Sequence, residues 1–424
     1  MKFKIFLFLL LSSFIFSQVP QKDKAVYKEK YKDPVLKEME DANDKLKEEE
    51  EKKTKEIQDK IKEEKKKEKE EKKVLKVDFS NIKKPENLDV FQKVFHFPPV
   101  AQYLTGTCWA FSTISFLESE IFRLTGKKVK LSEIFVVYYE YIEKAKGFIE
   151  TRGDTYLGEG SEANAVFRVI SKYGIVPLSV YTGLKEGKDK HDHSFFFERF
   201  ENFLNFIKEK NYWKEEEVIP QITNLLNYYF GKPPESFEYE GKTYTPKTFL
   251  YEYLQVNPDD YVSVMSTMSQ DFYTTGEFKV PDNWWHSKDY YNLPLEEFYS
   301  IVKEGIKNGF SIAIGGDVSE PGYEGFEDCA IVPTFDIPEE YIDQSARELR
   351  IYNNTTEDDH GVHLVGYAEI DGKDWFLIKD SARSSRWGKF EGYYFYRGDY
   401  VKLKMLTITV HKDLLKPYLG KFKK

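Results

Sequence analysis

Cys108 stands in the run Gln102-Tyr103-Leu104-Thr105-Gly106-Thr107-Cys108-Trp109-Ala110-Phe111-Ser112, the stretch of the chain richest in chemical implication. A thiol attacks as its thiolate, so a nucleophilic cysteine needs surroundings that favour negative charge. The residues Trp109, Phe111, Ile114, Leu117, Ile121, Phe122 and Leu124 are apolar on most sides of a helix that starts at Cys108 and ends before Gly126. Such a helix is buried, and its N-terminal end offers partial positive charge to the sulfur. Gly106 lets the backbone turn tightly just before it. Attack on a carbonyl builds an oxyanion, which preorganised donors stabilise. The candidates are the backbone N–H of Cys108 and the side-chain amide of Gln102, six residues earlier.

The nucleophile also needs a proton acceptor. His360 opens a strand in Asp359-His360-Gly361-Val362-His363-Leu364-Val365-Gly366-Tyr367. A strand holds its side chains rigidly, which suits a base that must stay within hydrogen-bond reach of sulfur. A third group should orient the imidazole through its other nitrogen. Asp380 ends the next strand of the same predicted hairpin and can neighbour His360 across the pair, whereas Asp358 and Asp359 should point away from the outer nitrogen. The second cysteine, Cys329, lies in an apolar strand and reads as a small buried residue. His363 reads as core or cleft lining. His191-Asp192-His193 has no further ligand spacing for a metal, so neither a metal nor a cofactor is expected.

These groups must be carried by a larger frame. Ser132 is placed to cap a second helix through Ala145, closed by Gly147, and Ser161 a third through Tyr173, closed by Gly174. Residues 184–293, rich in Tyr, Phe, Glu and Lys, read as a helical insert. Then Leu295–Asn308 reads as a helix, and Phe310–Val318, Cys329–Phe335, His360–Ile370, Trp375–Asp380, Tyr393–Tyr396 and Leu403–Val410 as strands. Asp371-Gly372 marks the hairpin turn. Helices first and antiparallel strands last indicate an α+β fold with two segregated halves.

The 424 residues are 41% hydrophobic and 17% aromatic, enough for one large core or two modest ones. A net charge of −9 provides no electrostatic footprint for nucleic acid. Two cysteines cannot form a disulfide framework. Lys2 and Lys4, the apolar run Ile5–Phe16 and the small Ser17 read as a signal peptide over residues 1–17 with cleavage before Gln18. No later stretch is apolar enough to span a membrane, so an exported protein, periplasmic or secreted from a bacterium, is expected. Residues 18–76 are dominated by Lys and Glu and read as a solvated spacer, with an inhibitory pro-segment as the alternative. The globular region is expected over 77–413, and 414–424 form a basic tail.

The stretch around Cys108 resembles the active-site motif of papain-like cysteine peptidases: Gln, then six residues on Cys-Trp-Ala-Phe-Ser. The run at His360 is similar to that family's histidine motif. The Gly305–Tyr323 stretch, with Gly315-Gly316-Asp317-Val318, and the long helical insertion resemble the bleomycin hydrolase and aminopeptidase C branch. The resemblance implies a two-domain papain-like fold, a helical domain and an antiparallel β-rich domain with the cleft between them. It also implies peptide or protein substrates, hydrolysed through an acyl-enzyme. Gly160 and Ser161 sit where the family's substrate-lining glycine pair would be. Asp380 takes the place of the usual Asn, and Trp387-Gly388 comes five residues later than in the family's Asn-Ser-Trp-Gly. An Asp there would favour the imidazolium more strongly. The chain ends soon after His411, whereas the branch carries a longer arm into the cleft, so the choice of endo- or exo-cleavage stays open. A non-catalytic papain-like peptide-binding module is the alternative to an enzyme; the presence of Gln102, Cys108 and His360 together favours the enzyme.

Overall fold

The computed structural model describes residues 22–422, which fall into two compact units divided after Lys73. The signal-peptide reading of residues 1–17 lies outside the described residues. In the first unit the charged segment forms one helix, Pro34–Glu71, with every residue exposed. Asp33 caps it by accepting from the N–H groups of Val35 and Leu36, and Pro34 fills the first turn, where a missing N–H costs nothing. Ion pairs such as Lys53–Glu50 run along its surface. The sequence led to a partly helical spacer; the helix covers Pro34–Glu71, while residues 22–33 and 72–76 on either side of it are not helical.

In the second unit the helix that begins at Cys108 is Cys108–Thr125, closed by Gly126 in the left-handed conformation. Every residue from Trp109 to Ile121 is buried, polar ones included. Glu118 is supported there by the Leu131 N–H and by Lys130. The second helix is capped by Ser132 as expected, but it continues to Glu150. Gly147 does not end it, because the ring of Trp284 lies where a Cβ would stand, 2.5 Å away. The third helix is Ala163–Tyr173. Its N-cap is Glu162 and not Ser161, whose hydroxyl donates to Glu140 at 2.8 Å.

Beyond it, Ser194–Glu209 and Glu215–Phe230 are the helices of the insert, followed by a short hairpin, Phe237–Tyr239 with Lys242–Tyr244. The helical reading of 184–293 fails in its second half. Tyr261–Met265, Thr274–Gly276 and Tyr290–Asn292 are strands of the main sheet. Val264, within the first, is fully buried in the sheet's own core, which overrides the helical composition around it.

That sheet has 11 strands among the described residues. At its centre His360–Ile370 lies between Ile312–Gly316 and Lys373–Lys379, antiparallel to both. The sheet is mixed, because Tyr393–Arg397 runs parallel to Cys329–Ala330 and Tyr261–Met265 parallel to Tyr290–Asn292. One core lies among the helices; two more lie on the faces of the sheet, the larger under helix Leu295–Lys307. Asp371 and Gly372 both have positive φ (51° and 71°), the geometry a two-residue hairpin loop demands.

Because the charged helix is a unit by itself, deleting Asp23–Lys73 should leave the calorimetric Tm of the remainder within about 2 °C, under roughly 1 kcal/mol for a domain of this size. A larger fall would show that the segment supports the fold.

Candidate active site

The histidine strand reaches the cysteine helix through a glycine. At Gly361 a Cβ would stand 3.1 Å from Ser112 Oγ and 3.5 Å from Trp109 Cα, so the strand backbone lies directly on the first turn of the helix. This close approach brings His360 and Cys108 onto one cavity, where the sulfur and the imidazole interact electrostatically. Gly106, expected to supply a tight turn, has no positive φ. What it provides is room: a Cβ there would sit 2.7 Å from the Glu159 side chain, whose carboxylate accepts the Gly106 N–H at 2.9 Å.

Nε2 of His360 lies 2.7 Å from Oδ1 of Asp380. A register shift makes this contact possible. From the turn to Gly366↔Leu377 the two strands pair in one register, which, continued, would set Asp380 opposite His363. A bulge between Leu364 and Gly366 shifts the register by one, and His363 then faces Lys379. Successive side chains alternate between faces, so the single extra residue transfers Asp380 to the face of Val362 and His360. Of the two competing carboxylates, Asp359 accepts the Val318 N–H at 2.9 Å and Asp358 turns toward Glu162.

His360 and Asp380 are 8% and 2% exposed, so their charges interact with little screening. Burial opposes charge on His360, but Asp380 and Cys108 outweigh it and hold its pKa well above the ordinary imidazole value. Burial likewise opposes charge on Asp380. The imidazole, the Ala382 N–H (2.8 Å) and the Tyr323 hydroxyl (3.2 Å) overcome this and hold the carboxyl below its usual range. Tyr323 was not singled out from the sequence. Its ring stacks on Tyr394 at 4.4 Å. The late Trp387 stacks instead on Phe326, at 47% exposure.

Gln102 is locked on three sides. Its backbone N–H donates to Ser381 O (3.0 Å), its Oε1 accepts from Ser381 Oγ (2.7 Å) and its Nε2 donates to Thr105 O (2.7 Å). Ser381 directly follows Asp380, so one corner of the chain positions both the carboxylate and the amide. Gly160 and Ser161 border the cleft differently from a bare glycine edge. The Asp282 carboxylate lies over Gly160, 2.0 Å from where a Cβ would stand. Ser161 lines the cavity that contains Cys108. The loop is held by Lys144, which donates to the carbonyls of Gly158 (2.6 Å) and Gly160. Burial lowers the Lys144 pKa to about 8.

Cys329 is fully buried in an apolar core, and burial pushes its thiol up to about 12. His363 has a partner the sequence did not suggest: its Nδ1 meets Ser115 Oγ at 2.8 Å, and Lys379 donates to the same hydroxyl. His193 packs edge-on against Phe230, and among the described residues no group of three or more His, Cys, Asp or Glu is arranged to hold a metal.

A family model described as the Peptidase C1-like family matches residues 40–421, and the chain belongs to that family. Its fold is that of a papain-like cysteine peptidase. Aminopeptidase C of Lactococcus lactis subsp. cremoris is 22% identical over 365 residues, covering 75% of this chain and 81% of that protein. Aminopeptidase G of Lactobacillus delbrueckii subsp. lactis is 22% identical over 376 residues, covering 74% and 80%. The fold is similar to the crystal structure of PepW from Lactobacillus rhamnosis HN001, with a TM-score of 0.60 at 18% identity over 78% of this chain and 86% of that one.

Asp380→Asn keeps a hydrogen-bond acceptor but removes the charge. The His360 pKa should fall, and the alkaline limb of the kcat/KM profile should move to lower pH. The sign follows from a raised imidazole pKa: the charged form persists upward in pH until that pKa, and lowering it brings the loss earlier. Tyr323→Phe should move the limb the other way and by less, since a carboxylate that loses a donor holds the imidazolium proton more strongly. An unmoved limb in Asp380→Asn would remove Asp380 from the site.

Proposed function

We propose that the protein is an exported peptidase in which Cys108 is the nucleophile, His360 its acid and base, and Asp380 the orienting carboxylate. The observation that carries the reading is the buried His360 bridging Cys108 and Asp380 at the start of a helix. The raised imidazole pKa favours a thiolate–imidazolium pair.

In the first half-reaction the Cys108 sulfur attacks the carbonyl carbon of the substrate, forming a C–S bond as the C=O π pair moves to oxygen. The Cys108 N–H and the amide N–H of Gln102 not engaged by Thr105 are the donors for that oxyanion. The imidazolium passes its proton to the leaving nitrogen, the C–N bond breaks, and an acyl-thioester remains. In the second half, neutral His360 takes a proton from water, the resulting hydroxide attacks the thioester carbonyl, and the C–S bond breaks to restore the thiolate. Gly160 and Ser161 border the substrate, with Gly160 screened by Asp282. Relatives named as aminopeptidases support a peptide substrate.

An electrophilic peptide epoxide should label the protein at Cys108, located by peptide mass mapping. Cys108→Ala should abolish both the label and hydrolysis while the Tm is kept. Cys108→Ser should be nearly inactive as well. Hydrolysis at the wild-type rate by either variant would sink the assignment.

Export is supported by Lys2, Lys4 and the apolar run Ile5–Phe16 ahead of Ser17. N-terminal sequencing of protein recovered from a bacterial expression host should find Gln18 first, in the periplasmic or extracellular fraction. An intact Met1 on cytoplasmic protein would refute it.

A further inference from the structure

Four carboxyl groups line the cavity beside Cys108: Glu162, Asp282, Asp358 and Asp359. Among the described residues, Asp359 is the one of the four with a hydrogen-bond donor assigned to it, the Val318 N–H. Glu162 is 5% exposed, and its Oε1 accepts no hydrogen bond. It occupies the N-cap of its helix without capping it. Its carboxyl stands within hydrogen-bonding reach of Asp358, so two acceptors face each other without a donor unless one takes up a proton or a cation comes between them.

The cations around the cluster do not fill this role. Lys144 faces Asp282, but its Nζ is bound to the carbonyls of Gly158 and Gly160. His360 faces Asp358 but is held by Asp380 and Cys108. The Tyr290 hydroxyl donates to Asn164 (3.2 Å) and stands beside Glu162. Burial pushes all four up: Glu162 well above its usual range with Asp358 adding to the rise, Asp282 up against the pull of Lys144, Asp358 to about 7 and Asp359 to about 6.

We propose that this pocket is an ammonium subsite, in which Glu162, Asp358 and Asp282 seat an alkylammonium group of the peptide substrate. The proposal rests on the peptidase reading above and extends it to a substrate class. The cavity volume of about 30 Å³ suits a compact, water-sized head, since roughly 10–15 Å³ admits one water; a planar guanidinium asks for more. Ala163, Ala313 and Ile314 line the same cavity and can cover a methylene stem. Two sources carry this chemistry: the α-ammonium of a substrate N-terminus, and the side chain of a lysine near the scissile bond.

The test compares fluorogenic peptide amides in three forms: acetylated with norleucine second from the scissile bond, acetylated with lysine there, and norleucine with a free N-terminus. In the full-length protein one charged form should exceed the neutral one in kcat/KM by about tenfold or more, and which form does so identifies the source. The preference should weaken as pH falls below about 7, because the carboxyls take up protons. Glu162→Gln, nearly isosteric, should collapse the charged-to-neutral ratio, and Asp282→Asn should lower it. Equal rates for all three forms in the wild type, or a ratio kept by both variants, would overturn the subsite. Failure to cleave even the neutral form, with no epoxide label on Cys108, would overturn the peptidase reading and the subsite with it.

Discussion

The site depends first on how closely a strand can lie against a helix. Strand His360–Ile370 presses its backbone onto the first turn of Cys108–Thr125 at Gly361, where a side chain would meet Ser112 and Trp109. Interiors are close-packed, so a displacement of an ångström at that contact would be carried directly to the sulfur–imidazole pair. The same contact holds the helix from beneath: His363, one turn of the pleat further along, meets Ser115 on the next helical turn. The hydrogen bond from Ser112 to the Cys108 carbonyl steadies the first turn itself.

A second constraint comes from charge buried under the cleft. Glu140 accepts from Ser161 and from Trp284, and Lys144 holds two carbonyls of the Gly158–Gly160 stretch. An unpaired charge in these positions would be costly, and the multiple partners are what make burial tolerable. Both residues lie on one helix, Glu133–Glu150, at positions four apart and therefore on one face. One helical face thus fixes the Gly158–Ser161 stretch, whose Ser161 lines the cavity beside Cys108.

The carboxylates beside Cys108 break the pattern followed elsewhere. Glu118 and Glu140 are fully buried or nearly so and accept from backbone or side-chain donors, whereas Oε1 of the equally buried Glu162 accepts none. Such local departures from polar satisfaction concentrate where a protein meets its ligand, because a group kept unsatisfied in the free protein is available in the complex.

Residue types and short spacing were enough to reveal the chemistry and the local elements that carry it. Cys108 before an apolar run, Ser132 and Gly126 at helix ends, and Asp371-Gly372 between two β-branched and aromatic segments are local signals, read from propensity and capping. Gly147 misled the same reasoning, because a glycine that receives a tryptophan ring looks identical in sequence to one that ends a helix. The strands at 261–292 were hidden for a related reason: sheet formation there is decided by partners more than a hundred residues away, such as Met405–His411. Asp380 shows the division most plainly. Its place at the end of a hairpin strand was legible, but which face it would present depended on one bulge residue in the partner strand, and strand register is settled by the packing of the whole sheet. The carboxyl cluster lies furthest from sequence, since Glu162, Asp282 and Asp358 come from a helix cap, the insert and the approach to the histidine strand. Only the closing of the chain brings them together and buries them, and that burial is what chiefly raises their pKa values.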